Sequence, residues 1–356
     1  MMILDSHKRV AKLVLATAVS ALLIGCETIG YYQQAASGQL SILLNRQPIE
    51  KILQDSALSQ DIRNKLVTVL EIREFAEQQL GLPVADNYDS FVNLDRNHVV
   101  WNVFAATEFS IEPVNWCYPI AGCVSYRGYF SEARALNYAS KLQSQGYDVY
   151  TGGVDAYSTL GWFRDPIPST VLNRSNYQLA ALVFHELAHQ IVYISGDTTF
   201  NESFATALEQ EGLQRWLDYV NDLESLVRAQ AEARRRQEFI QLVMGFRGRF
   251  DQLYQSEASQ QNKRNQKQVL QRELQVAYGN LKQNWGGIGA YDGWFAGPLN
   301  NAQLSTVASY NDLVPAFQVL LDQAGGDLAT FYVKVQELAK LNEADRKNEL
   351  ATLLVN

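Results

Sequence analysis

His185, Glu186 and His189 spell H-E-x-x-H within YQLAALVFHELAHQIVYISGDTTFNESFATALEQEGL, residues 177–213, and Glu202 follows in N-E-S-F-A. Two imidazoles four residues apart on a helix leave the same face one turn from each other, close enough to grip one metal ion. The chain has 4 histidines, His7, His98, His185 and His189, so half of its imidazoles fall in this one turn. From Ser175 to Gln214 there is no Lys or Arg, yet Glu186, Asp197, Glu202, Glu209 and Glu211 all lie there. Carboxylates in so apolar a stretch need a cation, and a bound metal supplies one.

A catalytic zinc takes three protein ligands and keeps one position open for water. Glu202 is the candidate third ligand, because a second helix folded back on the first brings its opening turn beside the two histidines. Two imidazoles and one carboxylate suit one four-coordinate Zn²⁺ ion. Glu186 then stands where a general base is needed, taking a proton from the attacking water and passing it to the leaving amine. Its neighbour one turn on is Gln190, so no helical ion pair accounts for it. Glu209 lies two turns beyond Glu202 on the same face and is available to hold the α-amino group of an exopeptidase substrate; Glu211 points elsewhere.

These side chains have to be positioned by two helices. Residues 177–194 are apolar and free of turn signals, which predicts one buried helix. Ser195, Gly196 and Asp197 break it, and Thr198 or Thr199 caps a second helix from about Phe200. Leu213, Leu217, Val220, Leu223 and Val227 carry the helical period onward, and Leu270, Leu274, Tyr278, Leu281 and Trp285 mark a returning helix. A long helical hairpin is therefore expected over 208–285, bent at Gly245 to Gly248. Residues 28–82 read as helices. Residues 87–163 read as a small sheet region (HVVWNVFAA, VSYRGYF, YDVYTGG, AYSTLGWF) with a helix from Ser131 to Gln145. Residues 286–356 begin as a glycine-rich loop and continue as helices. The expected fold class is α+β, predominantly α-helical, with residues 26–356 as a single domain.

The first 25 residues read as a lipoprotein signal peptide. Lys8, Arg9 and Lys12 precede the apolar run LVLATAVSALLIG, which is too short to span a bilayer, and Leu23-Ile24-Gly25-Cys26 matches a lipobox. Cys26 is the expected lipidation site and membrane anchor. Glu27 rather than Asp follows it, which favours the outer membrane facing the periplasm of a bacterial envelope. In that oxidising compartment Cys117 and Cys123, either side of a Pro-Ile-Ala-Gly turn, are expected to close a small disulfide loop.

The 356 residues carry a formal net charge of −8. Without residues 1–25, which hold three basic groups and Asp5, the charge is −10, which argues against nucleic acid as a partner. Arg234-Arg235-Arg236 reads as the solvated face of a long helix, offset by Glu232 and Glu238.

An H-E-x-x-H helix completed by a Glu on the next helix resembles the gluzincin metallopeptidases. Together with the lipobox, FHELAHQ, NESFA, NNAQL and YNDLVPAF, it makes nearly the whole chain resemble zinc aminopeptidases of Gram-negative envelopes, most strongly over 116–130, 147–213 and 299–317. The resemblance implies a gluzincin-like metallopeptidase acting on peptides or proteins, with an extended substrate beside an edge strand, for which Ala156 to Phe163 is the candidate. It also implies an oxyanion donor late in the chain. No His follows His189, so a Tyr is expected: Tyr310 in the YNDLVPAF segment, with Tyr278 and Tyr291 as rivals. Where thermolysin-like gluzincins place an Asp to orient a zinc histidine, this chain has Thr206, which leaves the orienting group open. The competing readings are an envelope zinc endopeptidase or peptidoglycan-peptide hydrolase, and a non-catalytic metal-binding lipoprotein. An intact Glu186 argues against the last.

Overall fold

The computed structural model describes residues 28–118, 122–156, 159 and 163–354, with backbone alone at 309–311. The signal segment and Cys26 lie outside the described residues. Helix α1 covers 28–45; then follow β1 (Gln47–Pro48), α2 (Ile49–Ile52), α3 (Gln60–Gln78), β2 (Ser90–Val92), β3 (Val100–Ala106), β4 (Trp116–Tyr118), β5 (Gly122–Val124), β6 (Arg127–Tyr129), α4 (Glu132–Ser144), β7 (Asp148–Val154) and β8 (Ile167–Pro168). The rest is helical: α5 (Asn176–Ala188), α6 (Thr198–Tyr219), α7 (Leu223–Gln255), α8 (Gln260–Asn284), α9 (Asp292–Phe295), α10 (Asn301–Asn311), α11 (Val314–Gln323), α12 (Leu328–Lys340) and α13 (Glu343–Leu353). The fold is mostly helical with small sheets, an α+β arrangement. No helix among the described residues is long and apolar enough to cross a membrane.

Strand β3 is the centre of the sheet order β6-β3-β7, antiparallel on both sides. All seven of its residues are buried, which explains why VWNVFAA reads as a near-continuous apolar run rather than an alternation. Ala135, Ala139 and Leu142 of α4 cover Trp101, Val103 and Ala105, while Ala302 of α10 packs with Phe104 and Ala106. The second sheet, β1-β2-β8, pairs β2 with β8 in parallel just before α5. The expected edge strand Ala156–Phe163 lies largely outside the described residues.

Helix α5 starts at a capping box: the Ser175 side chain accepts from Gln178 N–H and the Gln178 side chain accepts from Ser175 N–H. It ends at Ala188, not at 194 as its apolar run predicts. Gln190 and Ile191 donate backbone hydrogen bonds three residues back, to Leu187 and Ala188 (3.0 and 2.9 Å), and the chain then turns. Asn201 of α6 takes over the backbone pairing that a longer helix would have made, accepting from Ile194 N–H and donating to Ile194 C=O, both at 2.8 Å. The cap of α6 is Asp197 rather than a threonine; its carboxylate accepts from Phe200 N–H at 3.0 Å, and Arg346 of α13 clamps it at 2.6 Å.

The expected long second helix is two helices. Asn221, in left-handed conformation at φ 53°, separates α6 from α7, and Asp222 caps α7. The hairpin therefore runs over 223–284, not 208–285, and bends at 256–259. Gly245 and Gly248 sit inside α7, where Phe246 and Phe250 pack with Leu270 and Leu274 of α8; tertiary packing outweighs the roughly 1 kcal/mol helical cost of a glycine.

The main core joins α5 and α6 to α3 and the C-terminal helices. Phe317, fully buried, meets Phe200 with ring centroids 5.1 Å apart and Phe204 at 5.7 Å. Phe317→Ala should lower unfolding stability by about 3–5 kcal/mol, read by urea denaturation. A loss under about 1 kcal/mol would show that α11 does not hold α6 in place.

Candidate metal centre

His185 projects from the last turn of α5 and His189 from its C-cap; Glu202 comes from the second turn of α6, packed against α5. Glu202 Oε2 lies 3.3 Å from His185 Nε2 and 3.8 Å from His189 Nε2, and one donor atom from each of the three falls within 4.8 Å of the others. Metal–ligand bonds of about 2.1 Å at tetrahedral angles separate donors by about 3.4 Å, the range of the two Glu202 distances. The group could hold a metal ion. His185 and His189 meet edge to face, with centroids 5.1 Å apart. His189 is buried and His185 half-buried, and His189 Nδ1 has no hydrogen-bond partner among the described residues.

The electrostatics of the cluster suit a cation. Burial would lower the His185 pKa, yet its hydrogen bonds to Glu202 and Glu209 raise it to about 10. Burial dominates at His189 and lowers it to about 4. Burial also works against the charged forms of Glu202 and Glu209, but His185 and His189 hold Glu202 below the usual carboxylate range, and Arg236 and His185 do the same for Glu209. A proton on His185 thus neutralises part of the cluster; a dication held there would replace it and release that proton.

Glu186 is only 9% exposed. Burial, against the opposing attraction of His185 and with repulsion from Glu202, Asp165 and Glu209, raises its pKa to about 7. That value matches what a general base near neutral pH requires.

The orienting group is Glu209, which is not legible at the Thr206 position. Its Oε2 accepts from His185 Nδ1–H at 3.0 Å, and Arg236 donates to its Oε1 at 3.3 Å. Thr206 Oγ1 is buried without a partner. Glu209 is therefore engaged with a histidine and not available as an α-amino anchor. Arg236 faces the cleft instead of lying on a solvated face; α7 crosses back over α6, a tertiary event that the local charge balance of Glu232 and Glu238 does not reveal. Glu209→Gln should weaken divalent-metal affinity about 10–100-fold, measured by competition with a chromophoric chelator. Unchanged affinity would remove Glu209 from the centre.

The triad opens into a cleft of about 1630 Å³. Tyr126 and Tyr193 line it on the ligand side, each with its phenol pKa raised by burial and then by the Glu202 charge. Of the tyrosines expected to face an oxyanion, Tyr291 lines the cleft, whereas the Tyr278 hydroxyl donates to Asp292 at 2.6 Å. The Tyr310 side chain lies outside the described residues. Aromatic residues are frequent in this chain, so spacing alone could not single out Tyr126 or Tyr193.

Cys117 and Cys123 are joined in a disulfide that closes the β4–β5 hairpin. Gly122, at φ +72°, abuts the connection between the two ligand-bearing helices; a Cβ there would come within 2.7 Å of the Gly196 nitrogen. The hairpin thus braces the turn that sets the α5–α6 geometry.

Residues 30–350 match the model of the family described as putative aminopeptidase. No curated protein and no solved structure matches the chain.

Proposed function

Since the chain belongs to the putative aminopeptidase family, we propose that it is a zinc-dependent aminopeptidase of gluzincin type. The observation that carries this reading is the convergence of His185, His189 and Glu202 within 4.8 Å, with the buried carboxyl of Glu186 one residue from the first ligand. Two imidazoles and a carboxylate with room for water favour zinc. When bound, Zn²⁺ polarises the scissile carbonyl and lowers the pKa of a water to about 7.

The protein's own groups supply the rest. His185 and His189 present Nε2, and Glu209 fixes the His185 ring by taking its Nδ1 proton in a hydrogen bond. Glu186 accepts a proton from the attacking water and delivers it to the departing amine. The oxyanion receives a phenolic hydrogen bond from Tyr310, as the family resemblance implies, or from Tyr193 or Tyr126, which lie beside Glu202; separate Phe replacements decide among them, at about 10²–10³ in kcat for one donor. Helix α5 excludes bulk water from one side of the centre.

The lipobox supports a place in the bacterial envelope, with Cys26 lipidated and the chain facing the periplasm. The test of the whole reading is metal analysis of purified protein joined to assays on amino-acid anilides and on unstructured proteins. The expected result is one zinc per chain and cleavage of anilides. Cleavage of internal bonds only would make it an endopeptidase, and metal-free protein with full activity would end the proposal.

A further inference from the structure

Part of the cleft wall is formed by α7, which carries three consecutive arginines. Two of them, Arg234 and Arg235, form no ion pair among the described residues. Among the cleft's other charged groups, Arg174 pairs with Asp155 at 2.9 Å and Arg236 with Glu209 at 3.3 Å. Glu232, one turn before Arg235 and Arg236, accepts from the Tyr177 hydroxyl at 2.7 Å and from Gln178 Nε2 at 3.3 Å. Glu238 lies on the other side and accepts from Trp285 Nε1. Arg234 and Arg235 line the cleft without a hydrogen bond or ion pair to any described residue, and Arg235 Nε is buried with no partner. In a chain of formal net charge −8, the part-buried Arg235 in the cleft wall, with the exposed Arg234 beside it at the rim, is a local reversal of sign. A buried guanidinium nitrogen left unpaired costs stability unless something fills it.

The position of these arginines along the cleft is fixed by two contacts. Helix α7 touches α5 near its start, through Glu232 with Tyr177 and Gln178. It reaches the metal centre at Arg236, through Glu209 and His185. Eight residues of α5 separate Tyr177 from His185, about 12 Å at 1.5 Å per residue. Arg235 sits between those contacts, within the reach of two to four extended peptide residues at about 3.3 Å each. Resting on the peptidase reading above, we propose that Arg235, supported by Arg234, binds a substrate carboxylate two to four residues from the scissile bond. The substrate class is thus a short peptide carrying an acidic side chain there, or ending there in a free α-carboxylate. A guanidinium binds either carboxylate through two parallel N–H donors, and electrostatic attraction of this kind also raises the on-rate at low salt.

The test uses zinc-loaded Glu186→Gln protein, so that peptides bind without turnover, and calorimetry of three matched hexapeptides: neutral and amidated, amidated with one internal Glu, and neutral with a free C-terminus. At physiological salt at least one carboxylate peptide should bind about tenfold or more tighter than the neutral amide. That preference should fall below about threefold in the Arg235→Gln background with zinc content unchanged. Preference for the Glu peptide alone assigns the site to an acidic side chain; preference for the free terminus alone assigns it to a carboxypeptide end. Arg235→Glu should invert the order in favour of a Lys-containing peptide, which a merely structural arginine would not do. Equal binding of all three peptides, or a preference that survives both Arg235 variants, overturns the proposal. Failure of the hydrolytic reading shows separately, as absence of turnover by the wild-type protein on peptides that it binds with the carboxylate preference.

Discussion

Glu186→Gln should leave metal content near one ion per chain while peptide hydrolysis falls by about 10²–10⁴, the usual worth of a positioned acid–base group. Gln preserves the shape of a side chain that is only 9% exposed, and Glu186 is not among the three donors that converge, so neither packing nor coordination explains such a loss. The pH dependence has a definite sign. A base acts only when ionised, so activity rises as pH climbs through the Glu186 pKa, which burial sets at about 7 in the metal-free protein and which a nearby dication draws downward. The acid limb of the rate profile should therefore lie below pH 7 and vanish in the variant.

Stability supplies an independent readout. A carboxyl whose pKa is raised on folding stabilises the native state fully only below its unfolded value of about 4.5, and that contribution is lost as pH rises through about 7. At pH 8 the metal-free Glu186→Gln protein should consequently melt above the metal-free wild type, by an amount on the order of a few kcal/mol. Activity within tenfold of wild type, or a variant that melts lower, would strip Glu186 of its role.

How much of this was legible in the sequence depends on the range of the interaction. His185 and His189 share a face because four residues is close to one helical turn, a local rule that needs no partner. Glu202 was within reach because Ser195-Gly196-Asp197 announces a reversal, and a helix that folds straight back must present its start to the end of the one before. The length of α5 was not legible: HQIVYI is apolar enough to continue a helix, but Asn201 captures the backbone of Ile194 from a different element. The α6–α7 break at Asn221 lacks the Gly or Pro that usually announces one. Gly245 and Gly248 suggested a bend because intrinsic propensity was the only term visible, whereas the aromatic contacts to α8 come from residues 20 or more positions away. Arg236 and Glu209 were misread for the same reason. Their partners are set by where α7 returns over α6, and the compensating carboxylates Glu232 and Glu238 turn out to serve Tyr177, Gln178 and Trp285.

Glu202→Ala should abolish stoichiometric metal binding. If the roughly 10–16 kcal/mol typical of a structural zinc site is shared among its ligands, one carboxylate is worth on the order of 3–5 kcal/mol, a factor of roughly 10²–10⁴ in affinity. Dialysis against micromolar chelator should then leave the variant essentially empty and inactive while the wild type stays loaded. The competing explanation is an acidic residue placed to complement the helix dipole, for which Ala would cost at most about 1 kcal/mol of stability and nothing in metal content. The position of α6 speaks against it. The helix starts at Thr198 behind the Asp197 cap, its first turn holds no acidic residue, and Glu202 falls in the second turn, where the dipole has largely decayed. Its carboxyl is kept ionised instead by His185 and His189, in spite of burial. The two explanations also part in the response to added metal. Saturating zinc should raise the wild-type melting temperature by ligand linkage and leave the Glu202→Ala protein where it was; an equal upward shift in both would require the third ligand to be sought elsewhere, with Glu209, already bonded to His185 Nδ1, as the nearest carboxylate to try.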